Sequence, residues 1–339
     1  MYMHTNYLIV GAGAAGCTLA WLLRQTGGDV LLLELRDFQT KEKLCGGVLG
    51  EDALRMIETI FGPDAKEDLS PAHPPLLRSR CLDREIRTAI SFATLPRKRL
   101  DDWLFARCKD AGARALDRIR IESIDEEAHV AVCTDLRKRR KIRIGYGSII
   151  GADGATSSVR RLLAGSMQRF VLSFECIMPA VCDDIIFEYY PSRVGYCWHI
   201  PAGETANVGC GLYEGEAADA KEQLNAFCDE LGIAPSHLRS APIPSGDDVM
   251  LCAGKDAWLI GDAAGLVCPV DGGGIHYALI SAHRLASSLQ GGLPYEESMS
   301  PVTENIARMA ATREVWYLST MFDIIHNGNV WHREQAYSP

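Results

Sequence analysis

The segment Gly11-Ala12-Gly13-Ala14-Ala15-Gly16 follows directly on an apolar run, residues 7–10, and leads directly into a helical stretch, residues 17–24. A second apolar run then ends on Glu34, 18 positions beyond Gly16. A G-x-G-x-x-G pattern alone says little. Set between a strand and a helix, with a carboxylate closing the next strand, it predicts the opening βαβ unit of a doubly wound α/β fold with a dinucleotide at its turn. Gly11 permits the turn, Gly13 lets backbone N–H groups approach a pyrophosphate, and Gly16 lets the helix pack closely on the strand. The helix N-terminus around Ala15 favours the negative charge. Glu34 is placed to accept both hydroxyls of an adenosine ribose.

Two further strand ends select the dinucleotide. Ser148-Ile149-Ile150 runs into Gly151-Ala152-Asp153-Gly154, and Ala257-Trp258-Leu259-Ile260 runs into Gly261-Asp262. In this order they resemble the Asp-Gly and Gly-Asp motifs of class A flavoprotein hydroxylases and reductases. The resemblance implies FAD, and it gives Asp262 the task of holding the ribityl chain.

Four more segments narrow the resemblance. They are Lys43-Leu44-Cys45-Gly46-Gly47, Arg97-Lys98-Arg99-Leu100-Asp101, Tyr196-Cys197-Trp198-His199-Ile200-Pro201 and Pro269-Val270-Asp271-Gly272-Gly273-Gly274-Ile275. Together they resemble the geranylgeranyl reductase family of FAD-dependent oxidoreductases. The marks of that family are a K-x-C-G-G-G box, an R-x-x-[FL]-D helix start, a Y-x-W-x-[FI]-P strand and a P-x-x-G-x-G-I segment. The matches run from residue 7 to about residue 290. The implied fold is p-hydroxybenzoate-hydroxylase-like: a Rossmann-like FAD-binding domain with an inserted antiparallel β-sheet substrate domain. Val48 departs from the family, standing where the box has its third glycine, and so alters the space beside the flavin.

By that resemblance Cys45 and Gly46 lie beside the isoalloxazine and Arg97 contacts the cofactor. Gly272, Gly274 and Ile275 then belong to a helix start whose N–H groups face the flavin O2 and N1. Such a dipole stabilises an anionic reduced flavin. Cys45 is therefore expected to line the active site, whereas Cys17, Cys108, Cys133 and Cys228 read as small buried hydrophobes. Strand alternation places Tyr196 and Trp198 on one sheet face, as a roof over the substrate, and His199 on the other. His276 is a candidate proton donor at the flavin edge. The expected reaction saturates a C=C bond of an apolar, prenyl-like substrate by hydride transfer from the reduced flavin, with NAD(P)H or ferredoxin as electron donor. The alternatives are a flavin monooxygenase or halogenase and a flavin-binding protein without turnover. Halogenases carry W-x-W-x-I-P, and here Tyr196 takes the first place.

Length and composition bound this reading. The 339 residues suit two domains. A discontinuous FAD-binding domain is expected over 1–72, 95–165 and 250–295, and the substrate domain over 73–94 and 166–249. Pro71, Pro74 and Pro75 mark one crossing, and Pro242 and Pro244 another. The remainder, 296–339, is expected to form a C-terminal helical cap. Its amphipathic helix, at about 301–325, carries Met309, Val315, Trp316, Leu318 and Phe322 and closes the substrate cavity. A net charge of −9 argues against a nucleic-acid partner. No C-x-x-C pair or Cys/His spacing fits a zinc site, so no metal is expected and the thiols are read as reduced. The first 23 residues lack Lys, Arg, Asp and Glu, but Gly11, Gly13 and Gly16 interrupt them and no basic region precedes them. A soluble, cytoplasmic protein is expected, touching a membrane surface transiently to reach a lipid substrate. Oligomeric state is left open. Arg137 to Arg143 holds six basic residues in seven positions and is read as a solvated hairpin tip.

Overall fold

The structure, a computed structural model, describes residues 2–330 except Ser70, Ser192 and Glu214. Strand β1 (Tyr2–Val10) enters the fold earlier than the apolar run alone suggested, and its last three residues are buried. Helix α1 (Ala14–Gln25) follows at once, and β2 (Val30–Leu33) is buried at all four positions. A strand covered on both faces reads as an uninterrupted apolar run rather than an alternation, which is why Val30 to Leu33 carries no polar residue.

These elements belong to the first sheet. Its order is β16 (Cys252–Gly254), β17 (Ala257–Leu259), β10 (Arg140–Gly151), β1, β2, β7 (Arg114–Leu116). The neighbours from β17 to β7 are parallel, and β16 pairs antiparallel with β17. Beside β10, an antiparallel extension adds β9 (Val130–Asp135) and β8 (Ile119–Asp125). The basic cluster lies where the hairpin reading placed it. Asp135 pairs with Arg140, and the Asp135 carboxylate accepts the N–H groups of Arg137 and Lys138 across the turn.

The second sheet runs β15 (Arg239–Pro244), β11 (Phe170–Pro179), β14 (Thr205–Leu212), β13 (Gly195–Ala202), β12 (Ile185–Tyr189), β4 (Leu77–Cys81), β5 (Arg84–Thr88), β18 (Asn329–Val330). All its pairs are antiparallel except β12 with β4. A separate short antiparallel pair joins β3 (Val48–Leu49) with β6 (Ala93–Thr94). The chain is thus a mixed α/β protein, as its sequence predicted. Pro242 and Pro244 mark no crossing; they lie inside β15. That strand is the sheet's edge, where a residue without an N–H leaves no ladder bond unmade.

The helices α2 (Glu51–Phe61), α3 (Ala65–Leu69), α4 (Arg97–Asp110), α5 (Ser158–Ala164) and α7 (Ile275–Leu289) surround the first sheet, and α6 (Ala217–Leu231) covers the outer face of the second. The C-terminal segment corrects the sequence reading. It forms two helices, α8 (Tyr295–Ala311) and α9 (Arg313–Asn327). The break falls at Thr312, whose hydroxyl bonds back to the Arg308 carbonyl and competes with the helix ladder. The start at Pro294, followed by Glu296 and Glu297, lies before the expected residue 301. Residues 329–330 are a strand on β5 rather than helix, and 331–339 lie outside the described residues. Helix α9 packs Tyr317, Met321 and Ile324 onto the inner face of the second sheet, Trp316 sets its ring edge-on to Tyr189 at the border, and Val315, Leu318 and Phe322 face outward.

Candidate active site

The glycine turn is built for close approach. Gly11 sits at φ +106°, and a Cβ on Gly16 would lie 1.9 Å from the Gly11 carbonyl oxygen. Gly13 caps α1 with no side-chain bond, and a Cβ there would meet nothing within 4 Å. The first N–H groups of α1 therefore open onto free space. Ala15 lies where α1 crosses the Gly261–Asp262 turn, 3.1 Å from a Cβ built on Gly261. Glu34 ends β2 with Oε2 accepting the Ala12 N–H at 3.2 Å and Oε1 accepting the Arg36 N–H at 2.9 Å. Lys41, which the sequence reading did not single out, donates to the Ala12 carbonyl and stands 3.5 Å from Glu34.

A charged bed follows. Asp262 accepts a bond from Lys43 Nζ at 2.5 Å, and a Cβ on Gly274 would lie 2.9 Å from its Oδ1. Burial works against its charge, but Lys43 and Arg97 outweigh it and hold the carboxyl below its ordinary range. Arg97 is itself buried, with Nε on Asp101 Oδ1 at 3.0 Å. Burial opposes its charge too, and Asp101, Cys45 and Asp262 together hold the guanidinium pKa above its usual value. Arg97 thus feels both Cys45 and Asp262, residues far apart in sequence. Gln168 joins the two aspartate-bearing turns, its Nε2 donating to the carbonyls of Ala155 (2.8 Å) and Asp262 (2.6 Å). Asp153, the aspartate of the Asp-Gly motif, starts α5: it accepts the Ser158 N–H at 2.7 Å and the Ser157 hydroxyl.

The Cys box docks between this bed and the second sheet. Gly47 has φ +73°, and a Cβ there would come 1.9 Å from the Leu95 carbonyl oxygen, next to Arg97. A Cβ on Gly46 would strike Ile200 Cδ1 at 2.4 Å. Only glycines let the segment reach both walls. Between them Cys45 is half-buried, with its Sγ accepting the Gly47 N–H at 3.3 Å. Val48 packs its side chain into an apolar cluster with Ile185, Trp198, Ile200, Phe92 and Phe187.

The sheet register places Tyr196 and Trp198 on that inner face and His199 on the outer one. The Tyr196 hydroxyl donates to the Asp271 carbonyl at 2.5 Å. Trp198 Nε1 donates to Asn207 Oδ1 at 2.6 Å, and Asn207 Nδ2 donates to Glu175 Oε2 at 2.5 Å. Glu175 is buried, and desolvation pushes its pKa up. It was missed in the sequence, although it is the one charged residue of β11.

The Pro269–Ile275 segment differs from its expected form. The Gly272 N–H bonds to the Cys268 carbonyl and the Gly273 N–H to Asp271 Oδ1, so both are engaged within the turn. The ladder of α7 begins with Ala278 N–H on the Gly274 carbonyl, which leaves the N–H groups of Gly274, Ile275, His276 and Tyr277 ahead of it. His276 Nδ1 is buried and has no hydrogen-bond partner among the described residues.

Residues 4–193 match the protein family described as "FAD binding domain". The chain is 29% identical over 331 residues to a geranylgeranyl diphosphate reductase of Rhodobacter capsulatus, covering 92% of this chain and 81% of that protein. It is 27% identical over 325 residues to digeranylgeranylglycerophospholipid reductase 2 of Methanopyrus kandleri, covering 82% and 75%. Its fold is similar to the solved structure of a geranylgeranyl bacteriochlorophyll reductase-like protein from Thermoplasma acidophilum. That likeness has a TM-score of 0.75 at 21% identity over 96% of this chain and 88% of that one. The residues present fit an FAD. The Gly11–Gly16 cradle admits no Cβ at Gly16, Gly13 opens onto space, and a carboxylate stands at the end of β2.

Proposed function

Because this chain belongs to the FAD binding domain family, we propose that it is an FAD-dependent reductase saturating C=C bonds of an apolar, prenyl-like substrate. The observation that carries this reading is the packing of Cys45-Gly46-Gly47 against Ile200 on one side and Leu95 beside Arg97 on the other. It sets a thiol on the boundary between a charged bed and an apolar cluster. The named relatives, reductases of prenyl compounds, support the same chemistry.

Gly11, Gly13, Ala15 and Gly16 hold the pyrophosphate, Glu34 the adenosine ribose and Asp262 the ribityl chain. Arg97, Cys45 and Gly46 border the isoalloxazine, and the turn through Gly272 presents the N–H groups of Gly274 and Ile275 to it. When bound and reduced, the flavin supplies a hydride for one carbon of the double bond. Tyr196 and Trp198 roof the substrate, and with Val48, Phe92 and Phe187 they exclude water and orient a chain that has no polar handles. Cys45 holds a proton at Sγ for the other carbon, and His276 is a second titratable group at the α7 start. NAD(P)H or ferredoxin reduces the flavin.

Cys45→Ala tests the active-site role. FAD binding and the flavin spectrum should stay near wild type, while alkene reduction falls by more than about tenfold, a barrier rise of about 1.4 kcal/mol. A Cys45 that serves packing alone gives the reverse pattern, with lower thermal stability and full turnover per FAD-loaded molecule.

Transient contact with a membrane surface brings the substrate within reach. The outward stripe of α9, with Val315, Leu318 and Phe322 exposed, supports this. Among the described residues no helix is long and apolar enough to cross a membrane. The protein should float with zwitterionic phospholipid vesicles, and a Val315→Ser/Phe322→Ser variant should remain in the pellet fractions. Equal flotation of both proteins counts against this contact.

A further inference from the structure

We propose that Arg313 and Tyr317 of α9 are positioning residues for the flavin-facing turn. They hold residues 269–271 so that the N–H groups of Gly274, Ile275 and His276 stand in place. The inference rests on the FAD reading above. Three consecutive carbonyls of the turn are held by three donors from outside it. Arg313 Nε donates to Pro269 O at 2.7 Å, the Tyr317 hydroxyl to Val270 O at 2.6 Å, and the Tyr196 hydroxyl to Asp271 O at 2.5 Å. Arg313 and Tyr317 are one helical turn apart, and so share a face of α9.

The turn needs such anchors. It runs into Gly272-Gly273-Gly274, with Gly272 at φ +70°, and glycines restrict their own backbone least of all residues. Its internal bonds, Gly272 N–H to Cys268 O, Cys268 N–H to Gly273 O and Gly273 N–H to Asp271 Oδ1, close it on itself. None of them fixes it relative to Asp262, which the flavin must also meet. The anchors are themselves fixed. Tyr317 is 1% exposed and packs with Cys81, Tyr189, Met321 and Ile324. Arg313 also donates to Ser245 O at 2.7 Å and Asp247 Oδ1 at 3.1 Å, with its guanidinium 4.1 Å over the Tyr213 ring. The wall of the apolar space and the turn that meets the flavin therefore share one helix face.

Tyr317→Phe keeps the ring and removes the donor. It should weaken FAD binding about tenfold, equivalent to about 1.4 kcal/mol, and shift the flavin midpoint potential in the holoprotein. Arg313→Gln should act in the same direction and serves as the second variant if Tyr317→Phe does not fold. Ile324→Val, in the same cluster but without a bond to the turn, should lower the thermal midpoint and leave both flavin readouts at wild-type values. Wild-type FAD affinity and potential in both Tyr317→Phe and Arg313→Gln overturn this inference alone. A wild-type protein that takes up no FAD overturns the cofactor reading and the inference with it.

Discussion

Asp262→Ala should leave the protein nearly free of FAD after desalting, with affinity reduced by up to about a hundredfold. Asp262 is largely buried and held ionised by Lys43 and Arg97. Under the proposed function its loss removes the ribityl partner, and it leaves Lys43 and Arg97 without the carboxylate they both act on. The Lys43 side chain is 44% exposed, so solvent screens the broken ion pair, and the lost charge-assisted hydrogen bond to the ribityl chain, about 1.5–3 kcal/mol, carries the effect. Asp262→Asn keeps the shape and an acceptor but not the charge, so it should fall between alanine and wild type. FAD per chain, from the visible spectrum and titration of the apoprotein, reads the effect. Full occupancy of Asp262→Ala would mean that the Gly-Asp turn does not hold the cofactor.

Acidification should destabilise the fold through His199, by about 3 kcal/mol between pH 7 and 4. His199 is fully buried on the outer face of β13. Burial first, then the positive charges of Arg80 and Arg78, lower its pKa to about 4, against the raising effect of its bond to the Asp184 carbonyl. Its Nε2 accepts the Val181 N–H, a bond that protonation breaks. Below about pH 6.5 the unfolded chain gains a proton that the folded chain refuses. The stability from this group is therefore present above that pH and is lost as pH falls towards about 4. Glu85 and Asp262, both held below the carboxylate range, add losses of the same sign at lower pH. Urea unfolding at pH 7 and pH 4.5 separates the His199 part. His199→Gln should be weaker at neutral pH and show a flatter profile. Parallel profiles would remove His199 from the account.

How far the sequence revealed this site depended on what each residue has to do. The Gly11–Gly16 turn and Glu34 were legible because their constraints are largely local: a positive φ, a contact between Gly16 and Gly11 that no Cβ allows, a carboxylate at a strand end. The Cys box was readable only by resemblance, since Gly46 and Gly47 are constrained by the distant Ile200 and Leu95. The Tyr196/Trp198 face was legible because strands alternate with period two. Lys41, Gln168 and the Glu175–Asn207 pair were not, because each acts through a partner brought close only by the fold; Gln168 and Asp262 are 94 residues apart. Helix α9 shows a different limit. Val315, Leu318 and Phe322 repeat at helical spacing, and so do Tyr317, Met321 and Ile324, so periodicity marks a helix without choosing its buried face. The hydroxyl of Tyr317 and the guanidinium of Arg313, bonded to the Val270 and Pro269 carbonyls, settle which side faces in.

The most direct test of the central claim is a single-turnover reaction under anaerobic conditions. The FAD-loaded protein is reduced chemically, mixed with a geranylgeranyl-bearing lipid, and both the flavin spectrum and the product mass are followed. The account predicts that the flavin reoxidises as the lipid gains two hydrogens per double bond, with one hydrogen drawn from solvent. Contradiction would be a flavin that stays reduced beside unchanged lipid until oxygen is admitted, and then yields a product carrying an added oxygen atom.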